Sequence, residues 1–227
     1  MATPFINIYK KTELVKDDNR IVGKPTNQIY ELYYEYMSYA IGVFFRDCYK
    51  DLESHTPFSQ KEFAFVSDGT SVEFQLSEQP LTDGLFYVGY SNGVDLNFTE
   101  ITSMNYTYDS LNNKIVINDI IIPKDYVVYV SSYIIGQFEA NLAYDEIRIL
   151  CEAIMIPYLE EQVNRNSLLT QMVYGAGQSM YAQSTHINSV NNVVQAQESR
   201  VRDLIISYTF KATSDKLKGL AGEVGVE

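Results

Sequence analysis

The chain of 227 residues has no tryptophan, two histidines, two cysteines and six prolines, and it lacks a long apolar run. Each shortage excludes something. A membrane helix needs roughly 20 consecutive apolar residues. The longest candidate, Tyr36 to Phe45, is broken by Ser38 and Gly42 and followed by Arg46 and Asp47. The first thirty residues carry scattered charges and no apolar h-region, so a signal peptide is not expected. Cys48 and Cys151 do not make a disulfide framework and point to a reducing compartment. Basic side chains are also scarce. Seventeen Lys and Arg against 29 Asp and Glu give a net charge of -12, which argues against a nonspecific grip on nucleic acid.

The same scarcity removes the usual catalytic constellations. His55 and His186 fall in expected loops, far apart, with no partner at metal-ligand spacing. A hydrolase would need one of them to approach acidic residues that sequence cannot place. Cys48 and Cys151 lie on apolar helical faces and read as small buried hydrophobes, a pattern that permits a facing pair. The pairs Asp17-Asp18, Asp145-Glu146 and Glu160-Glu161 point about 100° apart on a helix and read as solvated faces. Gly175-Ala-Gly177 has no following G-x-x-G element and no preceding strand, so it is no dinucleotide fingerprint. Asp68-Gly69-Thr70 lacks the further residues of a P-loop or a calcium loop. The expectation is a protein that is not an enzyme and takes no cofactor or metal.

What is present is 46% hydrophobic residues, with 19 Tyr and 11 Phe. Tyrosine at that density suits half-buried, half-polar surfaces such as subunit contacts, although strands favour it too. The charge is uneven. Residues 1–52 are neutral, residues 53–146 carry -11 and residues 147–227 carry -1.

Periodicity divides the chain further. Residues 1–25 show no sustained period and read as an extended arm between Pro4 and Pro25. Thr26 is the expected N-cap of a helix of about 26 residues, with Tyr30, Tyr33, Tyr34, Met37, Ala40, Ile41, Phe44, Cys48 and Leu52 along one stripe. The bundle's first segment is therefore placed at 26–57. The period then drops to two. Phe63 and Phe65, the turn Ser67-Asp68-Gly69-Thr70, and Val72, Phe74 and Leu76 read as a hairpin. Leu85–Tyr90 reads as a strand closed by Asn92-Gly93, and two strands flank residues 109–113. Tyr126–Tyr133 is a long strand, so a small antiparallel sandwich or barrel is expected over 58–137. Helical spacing returns from Tyr144, with Pro157 expected to kink or split the helix. A polar loop is expected over 175–192, then a last helix, with a bundle over 138–221 and a frayed tail at 222–227. The fold class is α+β, a helical bundle with an inserted antiparallel β-domain.

The β-segment carries a resemblance. The string from Phe63 through Asp68-Gly69-Thr70 to Phe74-Gln75-Leu76 is followed by Pro80 and by Phe86-Tyr87-Val88-Gly89-Tyr90-Ser91-Asn92-Gly93. Tyr106, Tyr108, Lys114–Ile117 and the strand from Tyr126 to Tyr133 complete it. It resembles a β-domain common in tailed-phage virion proteins, over about a third of the chain. It departs from that pattern where Gly89-Tyr90-Ser91 lengthens the strand and where the insertion from Val94 to Ser103 is long. Helical patterns over more than half of the chain favour a head–tail connector, or neck adaptor, over a tail fibre. That resemblance implies a homo-oligomeric ring, a dodecamer, between the portal protein and the next neck or tail protein. DNA would pass without sequence-specific binding, no membrane would be involved, and the chain would be made in a bacterial cytoplasm and carried in the virion. Ring contacts would use Tyr30, Tyr33, Tyr34 and Tyr36 of the first helix, Gln178, Met180 and Tyr181 of the polar loop, and Tyr208 and Phe210 of the last helix. The alternative is a tail or baseplate accessory that binds a receptor or carbohydrate on Tyr87, Tyr90, Tyr106 and Tyr108.

Overall fold

The computed structural model describes residues 2–12, 24–92, 98–173 and 180–223. Within 165–173, 180–190 and 216–223 it describes the helix alone. It is a mixed α+β chain with four helices among the described residues, and small antiparallel sheets placed between the N-terminal and C-terminal helices. Just under half of the described residues are helical. The chain forms two compact units. One takes in Met1–Glu13, Glu35–His55 and Gln137–Glu227, and the other Leu14–Tyr34 and Thr56–Gly136.

The helical unit starts with the segment expected to be a free arm. Strand β1 (Thr3–Pro4) and helix α1 (Phe5–Tyr9) are instead built into its core. Phe5 and Ile8 are fully buried and Tyr9 nearly so. The three share the i, i+3, i+4 spacing of one helical turn, and one turn is too short to register as a period. The β1 strand pairs with β10 (Gln137–Phe138), which pairs in turn with β2 (His55–Thr56). The Thr3 hydroxyl accepts the Leu142 N–H at 2.8 Å, and Phe5 meets Phe138 edge-on at 4.8 Å.

Helix α2 (Thr26–Phe44) is shorter than its stripe suggests. Pro25 contributes the carbonyl that accepts the first helical bond, from Ile29, so Thr26 is the first helical residue rather than the cap. At the other end the Asp51 carboxylate captures the Glu53 and Ser54 N–H groups, a local bond that competes with helix continuation. Leu52 stays buried, but in a turn. Helix α3 (Tyr144–Val173) runs through Pro157 as one element rather than two. Helix α4 (Met180–Glu223) packs antiparallel to it, because Glu152 meets Gln197 and Arg200 while Asp145 meets Lys211. The expected polar loop is therefore helical from Met180 onward, and the helix runs through Gly219 and Gly222. Residues 178–218 contain no Gly or Pro, so nothing there breaks a helix, however polar its faces.

The second unit is a sandwich. Strands β3 (Ser59–Val66), β9 (Val127–Ile134), β5 (Leu85–Ser91) and β6 (Thr99–Ile101) form one sheet in the order β3-β9-β5-β6. Strands β4 (Glu73–Gln75), β8 (Lys114–Ile117) and β7 (Tyr106–Asp109) form the other, in the order β4-β8-β7. Phe63, Val88, Ile101, Val128 and Val130 of the first sheet share one core with Phe74, Ile115 and Ile117 of the second. The expected hairpin at Asp68-Gly69-Thr70 is absent. That turn carries the chain from one sheet to the other, since β3 pairs with β9 and β4 with β8. Strands β5 and β6 pair antiparallel, Tyr90 facing Thr99, and the expected Asn92-Gly93 turn falls at Gly93 outside the described residues. The link across residues 109–113 joins β7 and β8 as expected. The first turns of α2 cover the other face of β9, where Tyr30 lies 6.0 Å from Tyr133.

Three aspartates organise turns in the same way. Asp68 accepts the Thr70 and Ser71 N–H groups at 2.8 and 2.6 Å and the Ser71 hydroxyl at 2.6 Å. Asp51 does this with Glu53 and Ser54, and Asp109 with Leu111 and Asn112. The Ser71 hydroxyl first, and then the N–H groups, hold Asp68 far below the usual carboxylate range. A native pKa below the unfolded value stabilises the fold fully above about pH 4 and loses that contribution as pH falls through the native value. Asp68→Ala is thus expected to unfold at lower urea than the parent near neutral pH. The gap should close towards about pH 2, and a gap unchanged by acid would refute the assignment.

Candidate functional site

In the helical unit one buried carboxylate gathers most of the polar chemistry. Glu146 stands at the third position of α3 and accepts the Ala143 N–H, the reciprocal half of a capping box. Its other contacts are the Lys50 ammonium at 2.8 Å and the Tyr208 hydroxyl at 2.7 Å. Lys50 also donates to the Asn141 carbonyl. Burial alone would raise the Glu146 carboxyl, but Lys50, Ala143 and Tyr208 together hold it below its ordinary value. Tyr208 is pushed well up, by burial and then by its bond to Glu146. Its ring packs edge-on against Phe44 at 5.4 Å and lies 5.6 Å from Tyr49. This constellation joins three elements into a structural lock.

The remaining predicted contact residues divide among several roles. Tyr36 is buried, donates to Glu161 at 3.3 Å and sits edge-on to Tyr158, so it is spent inside its own unit. Its expected role as a contact is corrected on that ground, because a buried ring has no face left for a partner. Tyr30 and Tyr34 are half-buried in the second unit, against Tyr133 and Phe58, and Tyr33 is half-buried. Phe210 is open, at 78% exposure, one turn beyond exposed Ile206 on α4. Gln178 lies outside the described residues. Met180 and Tyr181 are helical, but their side chains lie outside the description, as does that of His186.

Neither thiol faces the other. Cys48 neighbours Tyr208 and Glu146, whereas Cys151 donates to the Ile8 carbonyl at 3.6 Å. Burial raises both thiols, so neither is poised as a thiolate nucleophile. His55 holds its Nδ1 3.0 Å from the Leu52 carbonyl, and its ring lies 5.9 Å from the rings of both Phe5 and Phe138. Among the described residues no three metal-ligating side chains cluster, and no helix is long and apolar enough to cross a membrane.

The tyrosines proposed as a ligand face are occupied within the sandwich. Tyr87 is buried, Tyr106 donates to the Phe86 carbonyl at 2.9 Å, Tyr108 bonds Asn113 and Gln79, and Tyr90 packs on Tyr126.

Sequence reasoning missed a basic cleft of about 390 Å3 in the helical unit. Exposed Lys10, Lys11 and Arg148 border it together with Tyr144, Ile147 and half-buried Cys151. Lys11 lies over the Tyr144 ring at 5.2 Å, a cation–π contact. None of the three cations is ion-paired among the described residues, and the acidic neighbour Glu152 is taken by Arg200 at 2.7 Å. The signal was the adjacent pair Lys10-Lys11, with Tyr144 and Arg148 four apart on a helix.

No family model, curated protein or solved structure matches the chain.

Proposed function

We propose that the protein is a structural component of a tailed-phage neck, a ring-forming adaptor between the portal and the tail that leaves a channel for DNA. The observation that carries this reading is the strand-and-turn grammar of the β-segment, from Phe63 through Asp68-Gly69-Thr70 to Tyr133. Its support is the place of that segment between two halves of a helical unit. Apolar side chains left open on that unit, Phe210, Ile206 and Val193 of α4 together with Tyr49, suit subunit contacts. The strong negative charge suits a wall that DNA slides past without being held.

Quantitative mass spectrometry of purified particles tests the reading. About a dozen copies per particle is the expected count for one closed ring. Three to six copies would shift the role to a fibre or baseplate accessory. Hundreds would mean a tube or shell, and absence from the particle would end the virion reading.

A further inference from the structure

We infer that the basic cleft of one copy takes the acidic tip of the sandwich of a second copy, in a head-to-tail contact. The tip is the loop between β8 and β9. Three consecutive isoleucines stand there. Ile122 is buried in the sandwich core and Ile120 half-buried against it, while Ile121 is 82% exposed. Asp119 and Asp125 flank it, both exposed, and neither carboxylate has an ion pair or hydrogen bond among the described residues. Both are held in the left-handed region, at φ 57° and 67°, so the tip is a fixed shape. The Asp68 turn is tied to this loop, because Ser67 donates to the Ile122 carbonyl and accepts the Asp125 N–H on its own carbonyl. Asp68 thereby adds a third carboxylate against one ammonium, Lys124. Exposed Val66 and Val72 border the same turn.

An exposed apolar tip ringed by carboxylates complements a cleft with an aromatic and aliphatic surface and three cations that have no ion pair among the described residues. Ile121 seats against Tyr144 and Ile147, and Asp119 and Asp125 meet Lys10, Lys11 and Arg148. The wider charge agrees, since residues 56–136 hold ten acidic and three basic side chains. Cleft and tip are different surfaces, so the contact is heterologous and a pair of copies keeps one free cleft and one free tip. Such contacts close into a ring or run on as a filament, according to the rotation per copy. The inference deepens the ring reading and rests on it only in that copies meet. Particle counts test that reading, and the experiment below tests the contact alone.

Sedimentation velocity of the full chain at low ionic strength, over rising concentration, is the measurement. The parent should associate, and added salt should weaken the association. Lys11→Glu with Arg148→Glu should weaken it by about tenfold or more, as should Asp119→Asn with Asp125→Asn, which keeps residues that tolerate the left-handed backbone. Ile121→Ser, which changes no charge, should weaken it too. The decisive sample mixes the two double variants. Each retains one working surface, so the mixture should form one-to-one pairs and stop there. A parent that stays monomeric throughout overturns the contact, as does association that neither salt nor either double variant alters. Tighter binding of duplex DNA than of a second copy, lost in Lys11→Glu with Arg148→Glu, would also overturn it and assign the cleft to nucleic acid.

Discussion

Replacing Phe5 by alanine is expected to destabilise the helical unit by about 3–5 kcal/mol, the range for emptying a buried aromatic site. The ring is fully buried, meets Phe138 edge-on at 4.8 Å and lies within 6.2 Å of Tyr9. Backbone at the same segment is held by β1 and by the bond from Leu142 to Thr3, so the site cannot collapse freely. Urea unfolding followed by far-ultraviolet circular dichroism measures the loss. Lys10→Ala, five residues on and exposed, is the control and should stay within about 0.5 kcal/mol of the parent. Were Phe5→Ala equally silent, the N-terminal segment would be an arm after all.

Glu146→Ala should cost about 3 kcal/mol. Half of the capping box goes, and Tyr208 and Lys50 both lose their acceptor in a site sheltered from water. Tyr208→Phe keeps the ring on Phe44 and removes the bond to Glu146 together with the longer one accepted from the Tyr49 N–H at 3.4 Å, so about 1 kcal/mol is expected from it. The two changes remove the same bond, and the double variant should cost less than the sum of the singles. Additivity would mean that the Tyr208–Glu146 bond is not made. The carboxyl of Glu146 titrates below its ordinary value. Its contribution is therefore full above about pH 4.5 and fades as pH falls further, and Glu146→Ala should flatten that acid limb.

The elements that could be read from sequence are those whose signal is local. Ile115 and Ile117, or Val128 and Val130, alternate along a strand and lie in the core as their period requires. Pairing was harder, because Phe63 finds Val130 across the whole β-segment and a turn motif such as Asp68-Gly69-Thr70 does not say which sheet follows it. Polarity misled over 180–192, where a helix needs no apolar stripe once no Gly or Pro interrupts it. The cleft was hidden by charge balance. Lys10 and Lys11 sit in a neutral stretch and Arg148 in a nearly neutral one, and only folding puts them together. Tyr36 and Tyr30 looked alike as sequence, on the same helix, yet they belong to different units.

The sandwich starts and stops on the same rung. Ser59, its first strand residue, is paired directly with Ile134, its last. Partners so placed are about 5 Å apart, so the chain departs from one spot and returns to it. Recombination can therefore lift the whole insert out, or exchange it for another with equally close ends, without stretching the helical unit that carries it. The limit on such an exchange is the start of α2. Asn27, buried and donating to Gln60 at 3.0 Å, and Tyr30 against Tyr133 would have to find new partners in whatever arrived. A lineage under pressure to change what it docks against would thus vary these two helical turns together with the insert, and leave Phe44, Glu146 and Tyr208 untouched.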